Sequence, residues 1–322
     1  MSGPRLVTAS DAILRQIHDQ TWPIWSDGLS RENYERYNRA QMATPWGKTH
    51  LDRVALVSGD DLLASAKRYR LTLRAGGEDV ACLGIGAVFT PPDLRGRGHA
   101  AALIEALIEQ AGTEGAGFAL LFSEIDPAYY ARLGFEPVPV GAATLALREQ
   151  RREGAPAVLM RGGDDRDIDN IVSMHASRAA LYGFSLRRDA DYARYAISKR
   201  RLLAAFGVPG VRHVEYFITE EGGNAVAYIV VTRGPDGHVL EEWGDRDPTG
   251  ARVGAMLQVM AARTPTEEAV KQRTWLPVDF APPQIERIDE APAEEHAMIR
   301  GIGRPAPRVS PEDVFYLKAD AF

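Results

Sequence analysis

The alternation of apolar and polar residues in the first part of the chain predicts a strand, two helices and a meander of three strands. The first strand is predicted at 5–8, and Ser10 and Ser30 each precede an amphipathic pattern whose first turn they can cap. Turns that contain glycine separate the strands of the meander. These strands are predicted at 53–58, 62–74 and 80–90.

The last strand of the meander leads directly into a glycine-rich loop at 95–98. Apolar residues then recur with helical spacing, and a short, wholly apolar run suits a buried central strand. The elements predicted after the loop are a helix at 100–111, a strand at 118–123 and a short helix at 126–133 that Gly134 ends.

The second half of the chain repeats this order of elements. It is predicted to contain a strand at 158–160, helices at 167–181 and 189–206, strands at 214–219, 225–232 and 238–245, a helix capped by Thr249 and a strand at 272–276. The segment 277–322 is interpreted either as a linker that returns the chain to pack a last strand over 314–317, or as a tail. We therefore predict an α/β (α+β) fold with two tandem domains, 1–150 and 151–322, each with a mixed central sheet flanked by helices.

Composition and charge fit this picture. A chain of 322 residues with 45% hydrophobic and 25% charged residues is typical of two globular domains. A net charge of -6 argues against nucleic-acid binding and agrees with a small cationic substrate. No apolar run is long enough for a membrane span and no secretory signal begins the sequence, so we expect a cytoplasmic protein. The single Cys82 and the scattered histidines predict no metal site.

The loop 95–98 has the chemistry of an anion site. A strand that delivers a glycine-rich turn to a helix N-terminus presents unpaired backbone N–H groups and the positive end of the helix dipole. Gly96 and Gly98 allow close approach of an anion, and Arg95 and Arg97 add positive charge. An ordinary structural turn is the alternative. The P-loop and dinucleotide patterns are not met here.

Two motifs resemble those of the GNAT acetyltransferase superfamily. Arg95, Gly98 and Ala100 occupy the positions of the R/Q-x-x-G-x-G/A signature, and Tyr130-Ala131-Arg132-Leu133-Gly134-Phe135 resembles its Y-x-x-L-G-F motif. The resemblance covers about 5–139 and implies acetyl-CoA as co-substrate. The residues that it implies for cofactor binding are Val88, Phe89, Thr90, Arg95, Gly96, Arg97, Gly98, His99, Ala100 and Ala101.

The same resemblance implies that Tyr130 is the general acid that protonates the leaving thiolate, and packing beneath Phe135 is the alternative role of its ring. The predicted fourth strand carries no carboxylate, so the candidate bases are Glu124 and Asp126, each of which can instead cap the following helix. A chain-terminal carboxylate at Phe322 is a further candidate, suggested by Eis-type enzymes.

In the second repeat the equivalent loop carries Asp245 and Asp247, whose charges would repel a pyrophosphate. The chain thus resembles tandem GNAT proteins, such as Eis-type enzymes, with an intact first domain and a degenerate second one. Its segment 22–74 is also similar to fungal lysine acetyltransferases. The aromatic Trp22, Trp25 and Trp46 are candidates either for an acceptor pocket or for the core.

We predict an acetyl-CoA-dependent N-acetyltransferase that acts on a small primary amine of the lysine, polyamine or aminoglycoside type. A non-catalytic acyl-CoA-binding sensor and a protein acetyltransferase are the alternatives. The predicted partner is the small-molecule amine, with neither nucleic acid nor membrane, and a homo-oligomer is left open.

Overall fold

The computed structural model describes residues 3–148, 158–234, 237–263 and 271–322. The first half contains β1 (Arg5–Thr8), α1 (Asp11–Trp25), α2 (Arg31–Ala43), α3 (Pro45–His50), β2 (Leu51–Ser58), β3 (Asp61–Ala75), β4 (Glu78–Phe89), α4 (His99–Thr113), β5 (Phe118–Ser123), α5 (Ala128–Ala131), β6 (Glu136–Pro137) and β7 (Gly141–Leu147). The remainder contains β8 (Met160–Gly162), α6 (Ile168–Ala179), β9 (Phe184–Leu186), α7 (Ala190–Phe206), β10 (His213–Glu221), β11 (Asn224–Gly234), β12 (Gly237–Asp245), α8 (Ala251–Arg263), β13 (Lys271–Trp275), β14 (Ile285–Pro292), β15 (His296–Gly301) and β16 (Val314–Phe315).

Side-chain caps start the first two helices where the sequence predicts. The Ser10 hydroxyl accepts a hydrogen bond from the Ile13 amide, and the Ser30 hydroxyl accepts one from the Asn33 amide. Each cap satisfies an amide that the first helical turn leaves without a partner. Among the helices of the described residues, none is both long and apolar enough to cross a membrane.

Within the described residues the strands form two mixed sheets flanked by helices, as predicted. The first has the order β1-β2-β3-β4-β5-β15-β6, with β9 on β3 and β16 on β9; the second has the order β14-β7-β13-β12-β11-β10-β8. Apolar residues of α4 pack on the first sheet and those of α8 on the second. Each sheet contains one parallel pair whose strands are joined through such a helix, β4 with β5 and β12 with β13. This shared unit is the structural form of the internal repeat.

The sheets exchange strands between the two halves of the sequence. β7 pairs with β13 and β14 in the second sheet, whereas β15 lies between β5 and β6 in the first. The interpretation of 277–322 as a linker or tail is therefore incomplete, because this segment contributes β14 and β15 as well as the packed last strand. The predicted boundary between residues 150 and 151 lies outside the described residues.

Candidate active site

The first sheet splits where its parallel strands end. The parallel pairing of β4 with β5 begins where Cys82 lies beside Phe118 and ends where Ile85 lies beside Leu121. The register of β4 against β3 then shifts, and Ala87 has a positive φ of 47°. A bulge of this kind bends a strand and changes the direction of its side chains. The result is a gap between the last residues of β4 and β5.

The glycine-rich loop joins this gap to the N-terminus of α4. Gly98 is the N-cap residue with a φ of 81° and provides no side-chain cap, and Gly96 has a φ of 76°. A Cβ atom at either glycine would have no neighbour within 4 Å. The amides of His99, Ala100 and Ala101 are in the first turn of α4, where helix amides lack intrahelical acceptors. The loop therefore leaves space and hydrogen-bond donors for an anion.

The arginines of the loop pack back on its own backbone. Arg95 donates from Nε to the carbonyl oxygen of Thr90 over 3.3 Å, and Arg97 donates to that of Asp93 over 3.1 Å. The hydroxyl of Thr90 is buried and has no hydrogen-bond partner among the described residues. An uncapped helix terminus, a split sheet and this orphaned hydroxyl fit the pyrophosphate and pantetheine arm of a coenzyme A thioester.

The equivalent loop of the second sheet is filled by the protein itself. The Asp245 carboxylate accepts hydrogen bonds from the backbone amides of Asp247, Arg252 and Val253 and from the Arg252 guanidinium. Asp247 accepts from the amide and hydroxyl of Thr249. A carboxylate of the chain therefore occupies the N-terminus of α8 and takes up amides that the first loop leaves free.

Tyr130 lies at the edge of a large cavity that extends from the split in the first sheet. Its ring is 7% exposed and makes edge contacts with Tyr129 and Phe135 at centroid distances of 5.0 and 6.1 Å. Burial raises the pKa of Tyr130 to about 12. The hydroxyl therefore keeps its proton near neutral pH, as a general acid must. The predicted packing with Phe135 is also present, so the two roles do not exclude each other.

The two carboxylates predicted as bases differ in their surroundings. Glu124 is exposed and lines the cavity with Tyr130. Asp126 accepts a hydrogen bond from the Ala128 amide over 2.8 Å, so it caps α5, and it is not among the residues that line the cavity. The structure thus places Glu124 on the wall of the same cavity as Tyr130, and Asp126 in the capping role.

The cavity has a volume of about 680 Å³, and both halves of the chain contribute to it. Its walls include Val88 of β4, Phe122 of β5, Trp25 of α1 and Leu203 of α7. Of the three candidate tryptophans, only Trp25 lines it. Trp46 is buried against Tyr192 and Tyr195, and Trp22 donates to the Leu29 carbonyl oxygen.

The segment 318–322 closes one side of the cavity. The Phe322 ring lies 4.6 Å from that of Tyr69, and its carbonyl oxygen would be 3.1 Å from a Cβ atom at Gly86. A buried network holds this segment: Asp320 accepts from Arg188 at 2.6 Å and from the Tyr192 hydroxyl at 3.1 Å, and Arg188 also pairs with Glu242 at 3.0 Å. The sequence pattern gives no sign of this network, because its members come from three distant parts of the sequence: 188–192, 242 and 320.

Other predicted features have ordinary structural roles. Cys82 is 3% exposed, and burial raises the pKa of its thiol well above the usual value, which makes it a small apolar residue of the core. Among the residues that the structure describes, no cluster of side chains has the composition of a metal site.

Comparison with known proteins agrees with this geometry. Residues 16–138 match the family model for an acetyltransferase (GNAT) domain. No curated protein sequence matches the chain. A GCN5-related N-acetyltransferase from Anabaena variabilis is similar in structure, with a TM-score of 0.70 at 14% identity over 93% of this chain and 73% of that one. A GCN5-related N-acetyltransferase from Kribbella flavida gives 0.66 at 17% identity over 92% and 70%, and Eis1 from Mycobacterium abscessus gives 0.60 at 14% identity over 94% and 74%.

A split mixed sheet beside an uncapped, glycine-rich helix terminus places the chain in the class of acyl-group transferases with an α/β fold. Its residues 16–138 match a GNAT acetyltransferase domain, so this part of the chain is an acetyltransferase domain of the GNAT type. The resemblance drawn from the two sequence motifs is thereby confirmed. The structural neighbours share the fold over most of this chain.

Proposed function

We propose that the protein is an acetyl-CoA-dependent N-acetyltransferase that transfers the acetyl group directly to a small primary amine. The observation that carries this proposal is the position of Tyr130, which lines a large cavity that begins at the split between β4 and β5. Catalysis of acetyl transfer to an amine needs an acid for the departing thiolate and a site that holds the acceptor beside it. This cavity supplies both.

The cofactor-binding assignment follows from the loop and the strand. Gly96 to Ala101 would hold the pyrophosphate through backbone amides, and the end of β4 at Val88 and Phe89, with the following Thr90, would hold the pantetheine arm. Acetyl-CoA supplies an activated thioester carbonyl. The amide dipoles at this strand would stabilise negative charge on the carbonyl oxygen as the amine adds.

Tyr130 would donate its hydroxyl proton to the thiolate sulfur. Because its pKa is raised, the Tyr130 hydroxyl stays protonated over the working pH range. The edge contact with Phe135 holds the ring in position. For the base that accepts the amine proton we propose Glu124, which lines the same cavity. Phe322 also lines the cavity, so removal of residues 321–322 is the control that separates the two candidates.

Turnover with free amines tests the proposal. Purified protein is incubated with acetyl-CoA and a panel of amines, and release of CoA thiol is followed together with the mass of the acetylated product. We expect thiol release that depends on a small amine. Tight binding of acetyl-CoA without thiol release from any amine would make the protein a sensor, and faster transfer to peptides than to free amines would make it a protein acetyltransferase.

A further inference from the structure

Two adjacent basic side chains of the cavity form no ion pair within the described residues, although the Asp27 carboxylate in the same cavity acts on Lys67 from a distance. Arg53 on β2 and Lys67 on β3 are directly opposite each other in the antiparallel ladder, so they lie on the same face of the sheet. Both line the large cavity, and Arg53 is only 4% exposed. Its Nε and Nη1 atoms are buried without a hydrogen-bond partner, and neither residue forms an ion pair within the part of the chain that the structure describes.

Such a pair is unfavourable in the free protein. Like charges directly opposite each other repel, and a buried charge without a partner loses its hydration with no compensation. Burial, with the neighbouring Arg53, lowers the pKa of Lys67 to about 7. Burial also lowers the pKa of Arg53. An apolar pair would stabilise this position of the sheet better, so the two cations require an explanation outside the fold.

Three other basic groups of the cavity have partners, whereas a fourth, Arg212, forms neither an ion pair nor a hydrogen bond within the described residues. Arg200 forms an ion pair with Glu241 at 2.9 Å, Lys318 pairs with Glu295, and Lys199 donates to the carbonyl oxygen of Ala321 over 2.9 Å. Acidic groups also line the cavity: Asp27 and Glu124 are not engaged in these pairs. The cavity therefore presents the adjacent, unpaired Arg53 and Lys67, the more exposed Arg212, and separate carboxylates.

We infer that Arg53 and Lys67 bind a carboxylate of the acceptor, so that the acceptor is an amine of the amino-acid type. The inference rests on the proposed function and narrows its substrate class. A guanidinium offers two parallel donors that match the two oxygens of a carboxylate, and the adjacent ammonium adds a third contact. The carboxylates of Asp27 and Glu124 suit the positive end of the same ligand. Polyamines and aminoglycosides bring only positive charge to this pair.

Matched acceptors test the inference. Lysine and cadaverine differ by one carboxylate, and lysinamide keeps the shape of lysine but has a neutral amide in place of the carboxylate. Two further pairs, ornithine with putrescine and phenylalanine with phenethylamine, extend the comparison. For any pair that the enzyme accepts, we expect kcat/KM to be at least tenfold higher for the amine that carries the carboxylate. The difference should arise from a lower KM for that amine. Equal or better transfer to the decarboxylated amines would overturn the inference and leave the proposed function intact.

Variants connect the preference to these side chains. Arg53→Met is expected to fold, because it replaces a buried unpaired charge by an apolar chain, and its urea midpoint checks this. It should lose the preference for carboxylates to within about twofold, whereas Arg53→Lys should keep part of it. Arg70→Met is the matched control, since Arg70 lies on the other face of β3 and pairs with Asp52. It should behave as the wild type.

Binding measured by calorimetry separates this inference from the proposed function. If no amine releases thiol but lysine or another amino acid of the panel binds, and Arg53→Met abolishes that binding, the carboxylate site stands and the enzyme assignment fails. If no carboxylate of the panel binds in a manner that depends on Arg53, the inference is wrong. A preference for O-phosphoethanolamine over β-alanine would also overturn it, because the site would then be one for phosphate.

Discussion

Replacement of Tyr130 by phenylalanine isolates the chemistry of one hydroxyl. The ring is held by edge contacts with Tyr129 and Phe135, which phenylalanine preserves. No hydrogen bond joins the hydroxyl to another residue in the described part of the chain, so its removal leaves no buried partner unsatisfied. We therefore expect the free energy of unfolding to change by no more than about 1 kcal/mol, because only the burial of one polar group is altered.

Activity should respond quite differently. Loss of a positioned general acid lowers kcat by about 10²- to 10⁴-fold, which corresponds to about 3–5 kcal/mol of the activation barrier. The assay is steady-state thiol release at saturating acetyl-CoA, with the Kd of CoA measured by calorimetry. Tyr129→Phe is the control, since that ring is half-buried beside Tyr130 and is not among the residues that line the cavity.

The pH profile adds a second test of Tyr130. A raised pKa keeps the required proton bound until well above the pKa near 10 of a free tyrosine, so Tyr130 should cause no alkaline fall of kcat around pH 10. The general-acid assignment is refuted if Tyr130→Phe retains wild-type kcat with an unchanged urea midpoint. A fall near pH 10 that disappears in the variant would contradict the effect of burial.

Three further substitutions test the loop, the closing segment and a buried histidine. Gly98→Ala strains a positive φ of 81° and should weaken CoA binding by about 5- to 30-fold in calorimetry, whereas Gly59→Ala, with a φ of 61° in a remote turn, should leave the Kd unchanged. Asp320→Ala leaves the buried Arg188 with a single carboxylate partner, Glu242. It should lower the free energy of unfolding by about 3–5 kcal/mol in urea titrations. A loss below about 1 kcal/mol would show that the network does not hold the segment 318–322. Burial lowers the pKa of His18 to about 4, below the value of about 6.5 in the unfolded chain. Between these two values the unfolded chain binds more protons, so the free energy of unfolding falls as the pH is lowered, by about 2 kcal/mol from pH 7 to pH 5. His18→Asn should lose this part of the pH dependence, as measured by urea titrations at several pH values.

The sequence predicted the elements around the cofactor loop because their signals are local. Strand 118–123 is found with the predicted bounds, and α4 begins one residue before its predicted start, since glycine, apolar periodicity and caps act within a few residues. The strands β14 and β15 of the last segment were missed. β14 is an edge strand with an acidic sequence, and β15 has only three buried residues, Ala297, Met298 and Ile299, so neither pattern is distinctive.

The candidate site was predicted only as far as its motifs extend. Tyr130 and the glycine loop belong to short contiguous patterns, whereas the cavity that they face is built from both halves of the chain. Arg53 and Lys67 meet through strand register, which a sequence alone specifies weakly when the strand is polar at that position. Asp126 could be given its role only once the amide of Ala128 was seen to lie within hydrogen-bonding distance.

The central claim is that acetyl-CoA bound at the loop before α4 reacts with a small amine in the cavity beside Tyr130. Thiol release from acetyl-CoA, measured with a broad panel of free amines and with product mass, tests this most directly. The account predicts release that depends on the amine, one acetyl group added per product, and loss of this activity in Tyr130→Phe. Tight acetyl-CoA binding with no amine-dependent release across the panel would contradict it.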